Sequence, residues 1–141
     1  MTAADRLAPP TGLVLAGGAS VRPGADKARL DFRGRPLLLH AVDVLGQLCD
    51  EVLVASGDGM RFDDLGVRQV ADVASGAGPL AGLIAGLEAA TTQLVAAVAV
   101  NLPFASADVL RLLAARWRGE PAVVPLVERR LQPLHAVWAV R

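Results

Sequence analysis

The chain has a single cysteine, no surplus of charge and no apolar run of membrane-spanning length. Each shortage removes a class of protein. One thiol, Cys49, can form neither an internal disulfide framework nor a multi-cysteine metal site, which fits a reducing compartment. In an apolar-rich helix end it reads as a small buried hydrophobe rather than a nucleophile. Lys and Arg number 14, as do Asp and Glu, for a formal net charge of +0. That argues against a polyanion-binding surface, so no nucleic-acid partner is expected, and only a local basic pocket remains open. The longest apolar stretch, Leu94 to Val100, is strand-sized, so no membrane partner is expected either. Met1 to Pro10 lacks the basic start and long apolar middle of a secretory signal, which leaves a cytoplasmic protein as the default. Two familiar phosphate signatures are missing as well: the chain contains neither a GxxxxGKS/T loop nor a GxGxxG turn.

What is present is an apolar chain with one unusual loop. At 141 residues and 53% hydrophobic composition, a single packed domain over 1–141 is expected, with no repeat or linker to divide it. Near its start, the apolar run Gly12 to Ala16 leads into Gly17-Gly18-Ala19-Ser20-Val21-Arg22-Pro23-Gly24-Ala25-Asp26-Lys27. Glycine removes the Cβ, so backbone N–H groups can approach a bound anion. Arg22 offers a fork of donors matched to phosphate oxygens, and Lys27 a compact point charge. A buried strand, a glycine loop and two cations together describe a cradle for a polyphosphate.

The remaining pattern alternates strands with helices. Glu51 to Ala55, Val67 to Ala71, Leu94 to Val100, Ala122 to Val124 and Leu131 to Val140 read as strands. Pro36 suits the first position of a helix carrying Leu37 to Leu48, a second helix follows Gly78 to about Ala90, and Ser106 caps a third with Val109, Leu110, Leu112, Leu113 and Trp117 on its apolar face. This is the pattern of an α/β, Rossmann-like, open and mainly parallel sheet with helices on both faces. Ligands of such sheets bind beyond the carboxyl ends of the strands, so the loops after Ala16, Ala55, Ala71 and Val100 are expected to share one rim.

Several rim residues suit ligand chemistry, and each has an ordinary structural reading beside it. Asp72 reads first as an Asx turn and second as a carboxylate for a ribose hydroxyl, a base or a hydrated metal. Asn101 is either a turn residue or an oxygen ligand without charge. Gly78-Pro79-Leu80-Ala81-Gly82 permits close backbone approach to a ligand, or only close helix packing. Gln132 and His135 offer an amide and an imidazole on a late strand start, where a lone His is more often structural. Arg129 and Arg130 read as a solvated turn.

Taken in order, these pieces resemble the molybdenum cofactor guanylyltransferases of bacteria. Leu15 to Lys27 resembles the signature loop shared by many nucleotidyltransferases. Phe32 to Leu37, Gly78 to Leu83, Val100 to Phe104 and Gln132 to Val137 fall in the family's order, and the GPLAG and QPLHA pieces resemble the guanylyl enzyme more than its cytidylyl relative. The resemblance implies Mg2+-dependent transfer of GMP from GTP to molybdopterin, releasing pyrophosphate, with cofactor-delivery or molybdoenzyme proteins as candidate partners. It implies that Leu15, Ala16, Gly17, Gly18 and Ser20 line the nucleotide, and that Lys27 meets the α-phosphate. Arg22 would hold the leaving pyrophosphate, and Asp72 would help bind GTP. Gly78, Pro79, Leu80, Gln132 and His135 would lie toward the substrates. Asn101 stands where the family carries a metal-binding aspartate, which makes it both a nucleotide contact and the metal ligand.

Three departures accompany the resemblance. Asn101 lacks the charge of that aspartate, and Pro23 replaces a bulky apolar residue. Family members also run on for roughly fifty residues beyond the position of Arg141, within the usual size of one domain. The alternatives they leave open are a cytidylyl or sugar-phosphate nucleotidyltransferase, or a nucleotide- or cofactor-binding module that does not catalyse.

Overall fold

Thr11–Leu15 (β1) is buried at every position, which is why it carries apolar side chains on both faces and no alternation of polarity. The computed structural model describes residues 8–16, 26–72, 78–102 and 105–140. After a 3-10 turn at Lys27–Arg29, Asp31–Phe32 (β2) and Arg35–Pro36 (β3) form a small hairpin. Its turn places Arg33 and Gly34 at φ 55 and 86. Then follow Leu37–Gly46 (α1), Val52–Gly57 (β4), Arg68–Ala71 (β5), Pro79–Ala89 (α2), Leu94–Ala99 (β6) and Ala107–Arg116 (α3). The last part contains Ala122–Val123 (β7), Leu126–Val127 (β8), Arg130–Leu131 (β9) and His135–Ala139 (β10).

Six strands form one sheet in the order β5-β4-β1-β6-β10-β7. The first four run parallel, and β10 runs antiparallel to both of its neighbours. Strand periodicity sorts the side chains onto two faces. Val14, Val54, Ala96 and Val98 pack with Leu38, Ala41 and Leu45 of α1 and Leu110 and Leu113 of α3. Leu13, Leu15, Leu53, Ala55, Val95 and Ala97 pack with Leu83 of α2. The expected α/β sheet, mainly parallel and covered on both faces, is therefore present. Cys49 is 7% exposed within the first cluster, as a small hydrophobe would be.

Three details differ from the sequence reading. Leu131 to Val140 is not one strand: Glu128 and Arg129 take φ of 50 and 65, the chain reverses into a β8–β9 hairpin, and the sheet strand begins only at His135. Pro36 closes the β2–β3 ladder opposite Asp31 and caps α1, which begins one residue later. Helix α3 rests on the sheet through buried Ala107, Leu110 and Leu113, with Ala114 and Trp117 packed beside them, whereas Val109 and Leu112 stay 37% and 53% exposed. Among the described residues no helix is long and apolar enough to cross a membrane.

Candidate active site

Because β5, β4, β1 and β6 are parallel, their carboxyl ends form one rim, as the loop positions predicted. Ala16, Asp58, Asp72 and Asn101 stand close after those ends. The antiparallel β10 contributes its beginning instead: His135 pairs with Val98, and the Ala99 N–H donates to the Leu134 carbonyl at 2.9 Å. Gln132 and His135 therefore arrive at the same rim as the parallel ends.

Asp72 is the most informative residue there. Its N–H donates to the Gly57 carbonyl at 2.9 Å, fixing it against the end of β4. Its Oδ1 is buried and has no hydrogen-bond partner among the described residues. Burial pushes the carboxyl pKa above the ordinary carboxylate range, against a backbone hydrogen bond at Gly57 that pulls it down. An Asx turn satisfies its side-chain oxygen locally, and this oxygen is not satisfied. A buried acceptor left unpaired costs about 1–3 kcal/mol, so it invites a donor or a cation.

Helix α2 closes over that carboxylate. Gly78 takes φ 67 and ψ −155, a region that only glycine adopts without strain, and turns the chain into Pro79 at the first helical position. A Cβ on Gly82 would meet Ala55 at 3.0 Å, Leu15 at 3.3 Å and Asp72 Oδ1 at 3.5 Å. The glycine thus permits close packing and at the same time brings the helix start to the carboxylate, so the two readings of the GPLAG segment are not exclusive. Leu80 is 63% exposed beside it.

Lys27 lies on the other side of β1, exposed on the 3-10 turn, and no ion pair to its ammonium group occurs among the described residues. Asp26 starts that turn by accepting from the Ala28 N–H at 3.0 Å. Leu15 and Ala16 are buried, and their polar groups are already committed: the Leu15 carbonyl accepts from Val100 and the Ala16 N–H donates to Ala55. They frame the rim more than they offer it hydrogen bonds. Asn101 is exposed on the turn after β6. Gly17, Gly18, Ser20, Arg22 and Pro23 lie outside the described residues.

His135 serves the fold with one nitrogen. Its Nε2 accepts from the Ser106 N–H at 3.3 Å, at the cap of α3, so that nitrogen is unprotonated and the ring's hydrogen belongs on Nδ1. Burial holds its pKa below the ordinary imidazole value. A ligand would meet the Nδ1 edge only.

Residues 12–141 match the family model described as the MobA-like NTP transferase domain. The chain belongs to this family. Over 132 residues it is 35% identical to a probable molybdenum cofactor guanylyltransferase of Pelotomaculum thermopropionicum, covering 92% of this chain and 63% of that protein. Over 134 residues it is 39% identical to a protein of the same description from Chloroflexus aggregans, covering 91% and 64%. The chain thus spans less than two thirds of the length of these relatives. Its fold matches the crystal structure of molybdopterin-guanine dinucleotide biosynthesis protein A from Archaeoglobus fulgidus with a TM-score of 0.74 at 23% identity, over 92% of this chain and 67% of that one.

Within this MobA-like domain, one rim residue escaped the sequence reading altogether. Arg61 bonds to Asp26 and to the Ala16 carbonyl across sequence separations of 35 and 45 residues. No local motif announces a contact of that range. The nearest signal is Ser56-Gly57-Asp58-Gly59, which marks a turn and nothing more.

Proposed function

We propose that this MobA-like domain binds GTP along the rim and transfers GMP to molybdopterin, giving the guanine dinucleotide form of the cofactor and pyrophosphate. The observation that carries the reading is the buried, unpaired Oδ1 of Asp72 at the strand-end rim, a place where α/β sheets receive nucleotides. Preference for guanine is supported by the names of the relatives. In the reaction, a terminal phosphate oxygen of the pterin attacks the α-phosphorus of GTP. The bond from that phosphorus to the bridging oxygen breaks, and its electron pair leaves on pyrophosphate. A phosphate monoester is already largely ionised near neutral pH, so no general base is required.

Catalysis is then positioning and charge neutralisation. Lys27 meets the charge that builds on the α-phosphate, and Arg22 holds the pyrophosphate. Asp72 binds the nucleotide, and Gly78 to Leu80 with Gln132 and the Nδ1 edge of His135 face the acceptor side. No group of three or more His, Cys, Asp or Glu side chains suited to a metal occurs among the described residues. Mg2+ needs no such cage, since one or two carboxylates plus phosphate oxygens suffice. Asp72 and Asn101 present only oxygen-type ligands, which fits that cation. When bound, Mg2+ supplies charge neutralisation across the phosphates. The product is a cofactor for molybdoenzymes, so the reading places the chain in the cytoplasm beside delivery proteins.

The test is titration with GTP, CTP and ATP, with and without Mg2+, together with pyrophosphate release in the presence of molybdopterin. GTP is expected to bind most tightly and to support release. Equal affinity for all three nucleotides refutes the guanylyl reading. One residue favours a second reading: Asn101 brings a neutral amide to the turn where the resemblance places an aspartate, which suits a nucleotide-binding module without turnover. Asn101→Asp separates the two. Metal-dependent turnover gained by the variant marks an impaired enzyme, whereas unchanged binding without turnover favours the module.

A further inference from the structure

Arg61 joins two segments that flank the proposed phosphate site. Its backbone is fixed first. The Asp58 carboxylate accepts from the Met60 and Arg61 N–H groups at 2.8 and 2.9 Å, and the Ser56 hydroxyl oxygen accepts from Gly59 at 3.0 Å. Its guanidinium then lies 5.0 Å from the centre of the Phe62 ring, which is fully buried and carries Arg29 at 5.3 Å. From there Nη1 donates to the Ala16 carbonyl at 2.8 Å, Nε donates to Asp26 Oδ2 at 3.1 Å, and Nη2 stands 2.5 Å from Asp26 Oδ1. One planar fork therefore ties the end of the central strand to the residue immediately before Lys27.

The chemistry explains why this must be arginine. A guanidinium has enough fixed donors to hold a carboxylate with two nitrogens and a carbonyl with a third, whereas a lysine ammonium is a point charge without that geometry. Asp26 is itself the cap of the 3-10 turn that carries Lys27. Arg29 adds a paired grip on Asp64 through two 2.8 Å bonds, anchoring the far end of the same turn. Lys27 has no ion pair of its own among the described residues, so its place is set through its backbone.

We propose that Arg61 is a positioning residue for Lys27, holding that cation at the β1 end of the rim where the phosphates of the nucleotide arrive. The proposal rests on the nucleotide reading above. It assigns to Arg61 an effect on phosphate binding exerted only through Lys27, with no contact to the base.

The experiment is a double-mutant cycle on the full chain with Arg61→Ala, Lys27→Ala and the pair, reading dissociation constants for Mg2+-GTP and for guanosine. Arg61→Ala is expected to weaken GTP about tenfold, the scale of a lost hydrogen bond to a charged group. The pair is expected to bind GTP no more weakly than Lys27→Ala alone, with guanosine affinity unchanged throughout. Arg61→Lys is expected to restore the thermal midpoint without restoring GTP affinity. Should Arg61→Ala fail to fold, Asp26→Asn breaks the same link from the other side and is expected to reproduce the pattern. Losses that multiply independently, or an equal loss for GTP and guanosine, overturn the positioning role and leave the nucleotide reading standing. A wild-type chain that binds GTP no better than guanosine overturns that reading, and the positioning role with it.

Discussion

Adding one methyl group at Gly86 is expected to destabilise the fold, although it improves the helix. A Cβ at Gly86 would lie 2.3 Å from Leu13 Cδ2, 2.7 Å from Cδ1 and 3.0 Å from Cγ. Carbon atoms in comfortable contact are about 3.5–4.0 Å apart, so the overlap exceeds an ångström. Leu13 cannot move aside easily: it is fully buried on β1, with β4 on one side and β6 on the other. Forced overpacking costs about 1–3 kcal/mol, and the higher helix propensity of alanine offsets about 1 kcal/mol of it. With an overlap this large the cost falls in the upper part of that range, leaving a net loss of about 1–2 kcal/mol. At roughly 4 °C per kcal/mol for a chain of this size, the midpoint falls by about 4–8 °C. Gly46, at the end of α1, is the internal control. Nothing lies within 4 Å of its added Cβ, so Gly46→Ala is expected to gain about 0.5–1 kcal/mol. Thermal and urea unfolding followed by circular dichroism measure both, and adding Leu13→Ala to Gly86→Ala is expected to cost less than the two single losses summed. A Gly86→Ala protein at least as stable as the wild type refutes the close packing of α2 on β1.

Three further outcomes follow from other residues. Asp72→Asn removes a carboxylate whose pKa is raised by burial, so the wild type carries a penalty that is absent below about 3.8 and complete once the pH exceeds the raised value. At neutral pH the variant is expected to be more stable by at most about 1 kcal/mol, with the gain vanishing in acid and Mg2+-GTP affinity reduced; urea midpoints across pH, with titration at pH 7, check both. His135 has a lowered pKa, so the stability tied to its neutral ring is complete above about 6.5 and declines as the pH falls below that value; His135→Gln is expected to flatten that acid slope in urea midpoints measured from pH 7.5 to 5. Glu128→Asn with Arg129→Gly places residues suited to positive φ in the β8–β9 turn and is expected to raise stability by about 1 kcal/mol, read from the thermal midpoint.

The sheet was legible where its chemistry is local. β1 and β6 are short apolar runs bounded by turn residues, and Ser106 caps α3 with its hydroxyl accepting from the Val109 N–H. Asp72 was legible because its place after a strand is a matter of order along the chain. The β8–β9 hairpin was legible only as a turn at Arg129 and Arg130; its two short strands were not, since Glu128 and Arg129 are not the residues that usually take positive φ and no hairpin signal flanks them. The bond from Ser106 to His135 and the fork of Arg61 were hidden for a different reason. Each joins segments far apart in the chain, and composition or periodicity carries no record of such pairings until the sheet order is known.

The reversed direction of β10 separates two kinds of variation. The groups proposed to hold the nucleotide follow the exits of β1, β5 and β6; β1 and β6 lie between other strands, and β5 forms the sheet's edge. Gln132 and His135 hang instead from an entrance, fed by an exposed hairpin near the sheet's far border. On the proposed reading, insertions or exchanges in that hairpin change the acceptor side of the rim while the proposed nucleotide side keeps its strand-end framework.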